Sequence, residues 1–178
     1  MLVLGIDPGL TRCGVGIISA TKSKRSLIAV ETIRSSPELS IEARLLAIGS
    51  AIDALIEHHE PELVAVERVF AQHNLRSVTG TAQVSGLALF QAARRGIPVS
   101  YYTPSEVKAA VTGNGRADKA QVGFMVKSLL GLDEIPKPAD AADSLAIALC
   151  AVLRPQQTSN SETAAQRVWR NAARAAAK

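Results

Sequence analysis

Apolar residues along this chain follow two periods, and each change of period marks an element. Residues 2–7 (LVLGID), 14–20 (GVGIISA) and 26–33 (SLIAVETI) are short β-prone runs between turn-rich segments, the pattern of an antiparallel meander. From Ser40 to His59 the period becomes helical, with Ile41, Leu45, Ile48, Ile52, Leu55 and Ile56 recurring every three or four residues. His58 and His59 fall in the last turn, where a helix dipole favours positive charge, so they need no ligand role. Pro61 resets the chain, and Leu63 to Glu67 (LVAVE) reads as a buried strand ending in an acid. A helix over roughly Val78 to Arg95 and a strand over Pro98 to Tyr102 follow. Thr103-Pro104-Ser105-Glu106 then combines a capping residue, a proline at the first helical position and a glutamate at the third, which starts another helix. Asp118 and Gln121 repeat the box ahead of Val122, Met125, Val126, Leu129 and Leu130, and the last helix spans Ala139 to Leu153.

This order of strands and helices predicts an α/β fold with no internal repeat and no interdomain linker. After Arg154 the segment PQQTSNSET has no apolar period, and Arg167, Arg170, Arg174 and Lys178 of the Ala-rich end would share one helical face. The expected organisation is a folded domain over residues 1–153 and a basic, flexible tail over residues 154–178. A length of 178 residues fits one compact domain, and 47% hydrophobic with 20% charged residues excludes a disordered chain. The apolar run Leu145 to Leu153 is far shorter than the roughly 20 residues that span a bilayer, and Met1 to Ile6 carries no basic n-region, so a cytoplasmic protein is expected. Cys13 and Cys150 make no disulfide framework, and with three histidines they match no zinc spacing.

Charge becomes informative once it is located. Residues 1–153 balance 15 basic against 15 acidic side chains, so the net +4 lies in the tail. Within the body, Arg68 to Lys119 holds seven basic residues against Glu106 and Asp118, which allows one face to meet a polyanion or simply to be solvated.

The acids are placed more unusually. Asp7 ends an apolar first strand, where a carboxylate is costly to bury without a cation or donors, although Asp-Pro-Gly is also a common turn. Glu67 repeats that position at the end of a second apolar strand. Asp140 and Asp143, three apart, share one face of the first turn of the last helix, a location that the helix dipole alone also favours. If the fourth strand pairs with the first, Asp7 and Glu67 end adjacent strands, and a helix packed on that sheet would bring Asp140 and Asp143 to the same edge. Four carboxylates in a small volume require compensating charge, and hard divalent cations with oxygen ligands supply it. The implied chemistry is two-metal phosphodiester hydrolysis.

GIDPGLTRCGVGI at the start, VAVERVF at 64–70, GTAQVSG at 80–86, TPSEVKAAVTGNGRADKAQV at 103–122 and ADAADSLAIA at 139–148 together resemble the RuvC family of Holliday-junction resolvases over nearly all of residues 1–153. The resemblance implies a ribonuclease-H-like fold with a five-stranded mixed sheet flanked by helices. It also implies a homodimer and a crossover junction endodeoxyribonuclease that uses Mg2+, two per subunit with Mn2+ as substitute, to cut four-way DNA junctions. By the same resemblance the acidic site falls on Asp7, Glu67, Asp140 and Asp143, and the RuvA–RuvB branch-migration complex is an expected partner. Candidate DNA contacts are Phe70, Arg76, Lys108, Arg116 and Lys119. Phe70 sits among Arg68, Gln72, His73, Asn74 and Arg76, where an aromatic ring either closes the core or stacks on an unpaired base. Gly80, Ala82, Ser85, Gly86 and Ala88 would give their helix a small-residue surface, for a partner subunit or for the sheet. The alternatives are a ribonuclease H on RNA–DNA hybrids, a nucleotide-binding protein with an actin-like first phosphate loop, and a non-catalytic junction-binding module.

Overall fold

The computed structural model describes residues 1–68 and 75–156, without the side chains of residues 75–77. Strands β1 (Leu2–Asp7), β2 (Arg12–Ala20), β3 (Arg25–Arg34), β4 (Leu63–Glu67) and β5 (Val99–Tyr102) form one sheet in the order β3-β2-β1-β4-β5. The first three are an antiparallel meander, as their alternation predicts, while β4 runs parallel to β1 and β5 parallel to β4. Helices α1 (Ile41–His59) and α2 (Leu75–Arg94) cover one face; α3 (Pro104–Thr112), α4 (Lys119–Leu130) and α5 (Ala139–Leu153) belong to the other. This is the five-stranded mixed sheet flanked by helices expected from the sequence. β2 starts at Arg12 rather than Gly14 because Arg12 still pairs with Arg34, and α2 starts three residues earlier than its apolar period suggests.

Local signals set the helix ends. Ser40 caps α1 by accepting from Ala43 N, and the helix stops at Glu60 in the left-handed region, just before Pro61. Thr103 with Glu106 and Asp118 with Gln121 form complete capping boxes, and Gly113 and Gly131 end the same two helices with positive φ. The second box fixes Lys119 as the first residue of α4.

The side-chain period of two sorts the sheet into two cores. Leu4, Ile6, Val15, Ile17, Val64 and Val66 pack with Ile48, Ile52 and Ile56 of α1 and with Val84, Ala88 and Ala92 of α2. Val3, Ala65 and Tyr102 pack with α3, α4 and α5. Helix α5 is apolar beyond its first turns and, Asp143 apart, buried from Ala141 to Ala151, as a central helix must be.

A stripe of glycines lets α5 lie unusually close. A Cβ on Gly5 would come within 2.2 Å of Ser144 O, one on Gly14 within 2.2 Å of Asp140 O, and one on Gly16 within 2.8 Å of the Leu145 side chain. Gly5 faces Gly16 across the β1–β2 ladder, and Asp7 faces Gly14. The helix backbone therefore rests on strand backbone.

The small residues of α2 do not form one outward surface. Gly80, Ser85 and Ala88 are buried, Gly80 against Leu10, while Ala82 and Gly86 are exposed beside Gln83 and Phe90. The helical period that buries Val84, Ala88 and Ala92 makes this division. At the end of α5, Tyr102 Oη donates to Arg154 O and Gln156 Nε2 donates to Tyr101 O, so residues 154–156 are held against β5. The rest of the expected tail, residues 157–178, lies outside the described residues.

Gly5→Ala is expected to lower unfolding stability by about 3 kcal/mol or more, the upper end of core overpacking, because backbone atoms stand in the way of the methyl group. Gly49→Ala, whose Cβ would make only an ordinary 3.4 Å contact with Leu87 in the middle of α1, should gain up to about 1 kcal/mol. Equal losses for the two in denaturant titrations would contradict the close-packing argument.

Candidate active site

The site is built at the carboxyl ends of the two central parallel strands. The register that pairs Ile6 with Val66 sets Asp7 and Glu67 at the ends of neighbouring strands, and Gly5 and Ala65 two residues earlier belong to the face covered by α5. Asp140 and Asp143 come from the start of α5, which the glycine stripe brings down onto that strand end. Carboxylate oxygens of Asp7, Asp140 and Asp143 all lie within 4.8 Å of one another. Glu67 stands outside this tight trio, yet it lines the same cleft of about 230 Å3 with Asp7, Asp143, Lys108 and Lys119. Val107, Val122 and Ala146 form the cleft's apolar floor.

Acids and cations answer each other across the cleft. Lys119 Nζ donates to Asp143 Oδ2 at 2.9 Å, a bond that raises the lysine pKa. Arg12 Nε lies 3.3 Å from Asp140 Oδ2. Asp7 and Glu67 have no such direct partner among the described residues. Burial, then repulsion from Asp143 and Asp140, pushes the Asp7 carboxyl up to about 6. Burial, then repulsion from Asp7 and Asp143, pushes Glu67 up to about 7, with Lys119 and Lys108 only partly opposing. Both acids are thus destabilised as anions, the form that added positive charge would stabilise.

The structure brings together six of the nine sequence-derived candidates: the four acids, Lys108 and Lys119. Arg116 is exposed on the turn between α3 and α4, where its N–H donates to Asn114 Oδ1, and it does not line the cleft. Phe70 and the side chain of Arg76 lie outside the described residues. Sequence reasoning missed Arg12 and Arg44. Arg44 of α1 donates through Nε to Ser35 Oγ and through Nη2 to Thr11 Oγ1, each at 2.9 Å, which ties down the loop between β1 and β2. Neither residue carries a spacing signal, because each acts on a partner far away in sequence.

Comparison with known proteins gives this geometry a family. The model of the family described as "Crossover junction endodeoxyribonuclease RuvC" matches residues 3–151. The chain belongs to the RuvC family. It is 62% identical over 149 residues to the RuvC of Leifsonia xyli, covering 83% of this chain and 72% of that protein. The RuvC of Salinispora arenicola is 54% identical over 175 residues, covering 98% of this chain and all of its own. Among solved structures, the Thermus thermophilus RuvC described as in complex with Holliday junction substrate superposes with a TM-score of 0.82 at 36% identity, covering 86% of this chain and 93% of that one. The yeast mitochondrial resolvase Ydc2, at 17% identity and a TM-score of 0.61, shares the fold. RuvC membership implies use of a divalent metal ion, and the site's donor set fits one: oxygen ligands only, converging within a few ångströms, with two acids destabilised as anions.

That destabilisation is measurable in the metal-free RuvC-family protein. Because folding raises the Glu67 pKa, the folded state holds its proton more tightly, so stability is full below about pH 4 and falls as pH rises towards 7. In EDTA at pH 8, Glu67→Gln should therefore melt about 4 to 12 °C above wild type, from roughly 2 to 3 kcal/mol of relieved burial and repulsion, with the gap closing near pH 4. A variant that melts lower than wild type at pH 8 would contradict the electrostatic reading.

Proposed function

We propose that this chain is a divalent-metal-dependent endonuclease that resolves four-way DNA junctions by paired, symmetric nicks during recombination and repair. The observation that carries the reading is the convergence of Asp7, Asp140 and Asp143 within 4.8 Å, with Glu67 in the same cleft, in a chain whose RuvC match spans residues 3–151. The solved junction complex of the Thermus thermophilus protein supports junction DNA as the substrate. A non-catalytic binder of phosphates gains nothing from clustered acids, and the family match favours junction resolution over ribonuclease H action and over nucleotide binding.

Asp7, Glu67, Asp140 and Asp143 would hold the metal, which we take to be two Mg2+ per subunit with Mn2+ able to substitute. Asp7 is central, because it belongs to the tight trio and also neighbours Glu67. A hard divalent ion held there would supply a water nucleophile of lowered pKa and positive charge for the phosphate and the leaving oxygen. Lys119 keeps Asp143 aimed into the cleft and, with Lys108, offers ammonium groups to a phosphate entering it. The products are a 5′-phosphate and a 3′-hydroxyl, so the resolved duplexes need only ligation.

Arg116, exposed near the cleft's rim elements, and Arg76 bind backbone phosphates farther from the cut, and Phe70 stacks on an unpaired base at the junction centre. A two-fold homodimer matches the junction's two equivalent strands. The exposed face of α2, with Ala82, Gln83, Gly86 and the 58% exposed Phe90, is the surface offered to the second subunit. Residues 1–153 act as the nuclease domain and the basic tail as an auxiliary DNA contact. No helix of the described residues is long and apolar enough to cross a membrane; we place the protein in the cytoplasm, with the RuvA–RuvB complex as its working partner.

On a synthetic four-way junction, Asp7→Asn, Glu67→Gln and Asp140→Asn should each lose Mg2+-dependent cleavage by 100-fold or more, about 3 kcal/mol of barrier, while still binding the junction. Near wild-type cutting by Asp7→Asn would sink the assignment. Asp143→Asn should lose less, because Asp140 remains in the same turn. Phe70→Ala is expected to slow cleavage without lowering the melting temperature; a loss of about 3 to 5 kcal/mol of stability would instead make it a core residue. On a supercoiled plasmid that extrudes a cruciform, paired incision yields linear product, whereas accumulation of nicked circles would contradict coordinated cutting.

A further inference from the structure

Arg12 pairs with Asp140, and its placement is specific. It opens β2 two residues before Gly14, so it shares the face on which Gly14 touches the Asp140 backbone. Its Nε reaches Asp140 Oδ2 at 3.3 Å, yet its side chain is 58% exposed while that of Asp140 is 18% exposed. Most of the five guanidinium donors are therefore left for an acceptor arriving from outside.

The base of this side chain is fixed while most of its head is exposed. Ser35 N donates to Thr11 O at 3.2 Å, Ser35 Oγ donates to Leu10 O, and Arg44 bridges Ser35 and Thr11. The turn before it is closed so tightly that a Cβ on Gly9 would lie 2.2 Å from Arg12 O. Arg34 stands directly opposite Arg12 in the β2–β3 ladder, a like-charge pairing that costs free energy unless an anion is shared nearby. Across the carboxylates, Lys119 flanks Asp143 as Arg12 flanks Asp140.

We propose that Arg12 is a substrate-positioning residue that exchanges partners: it pairs with Asp140 in the metal-free protein and turns to a non-bridging phosphate oxygen of the bound strand once Asp140 holds a divalent ion. The inference rests on the reading of Asp140 as a metal ligand. An Asp140 oxygen committed to a doubly charged ion is a poorer acceptor for a guanidinium, and the ion repels the cation beside it. A phosphate at the cleft mouth offers the planar, bidentate geometry that a guanidinium matches best. Arg12 then helps hold the strand at the cleft only when the site is loaded.

Arg12→Gln and Arg12→Lys test this, since both alter an exposed head group and should melt within a degree or two of wild type. Calorimetric titration of Mn2+ into the DNA-free protein should show about two- to fivefold tighter binding for Arg12→Gln, the competition expected of an exposed ion pair. The salt dependence of binding to a four-way junction is then measured in EDTA and in Ca2+, before cleavage proceeds. In Ca2+ the slope of log K against log salt should be shallower by about 0.9 for Arg12→Gln, one lost phosphate contact, and close to wild type for Arg12→Lys. In EDTA the three proteins should share one slope. The same slope difference in both conditions, no difference in either, or an unchanged Mn2+ affinity would each overturn the exchange. A wild-type protein that binds neither Mn2+ nor the junction would instead overturn the site reading itself.

Discussion

Everything in this site depends on how closely α5 can approach the sheet. Ordinary helix-on-sheet packing is kept apart by side chains on both partners. Here Gly5, Gly14 and Gly16 remove them from the strands, and the backbone of Asp140 and Ser144 fills the space where strand Cβ atoms would be. That contact sets the depth at which the first turn of α5 meets the end of β1. Asp7 lies directly across the ladder from Gly14, so the residue that admits the helix is the cross-strand neighbour of the acid the helix must reach. Fold and chemistry share one constraint.

The cost of that closeness is electrostatic. Burial, and then repulsion among the acids that α5 brings to the end of β1, raises the Asp7 and Glu67 pKa values towards neutrality, although Lys119 and Arg12 each hold one acid of the helix. Folding stability elsewhere has to absorb this, and the largely buried α5 together with the cores on both faces of the sheet supplies it. A site strained in this way is poised for a divalent cation, because binding relieves repulsion that folding has already imposed. The same logic underlies the exchange proposed for Arg12, whose pairing with Asp140 competes with a divalent ion for the same carboxylate.

Much of this could be read from the sequence. Helices announced by local chemistry were legible, including the boxes at Thr103 and Asp118 and the last helix from Ala139 to Leu153, because caps and periods are written in adjacent residues. The four acids were legible because a carboxylate at the end of an apolar strand is anomalous wherever it occurs. The stripe of Gly5, Gly14 and Gly16 was not, since a glycine in a strand looks the same whether it faces solvent, a bulge or a helix backbone. Arg12 and Arg44 escaped for the same reason: their partners, Asp140 and the Ser35–Thr11 pair, are near only in the folded chain. The α2 small residues were seen but not sorted, because composition names a small face while only packing against Leu10 and the sheet decides that Gly80, Ser85 and Ala88 turn inward.

The most direct test of the central claim is the divalent-ion affinity of Gly14→Ala, measured by Mn2+ titration beside its melting temperature. The added methyl group must displace the start of α5 by more than 1 Å, given the 2.2 Å separation from Asp140 O and the roughly 3.4 Å that ordinary carbon contacts need. The variant should still fold cooperatively, but bind Mn2+ at least tenfold more weakly and cut junctions correspondingly slowly. Wild-type ion affinity in a folded Gly14→Ala protein would show that the acids do not depend on the glycine-seated helix, and would contradict the account.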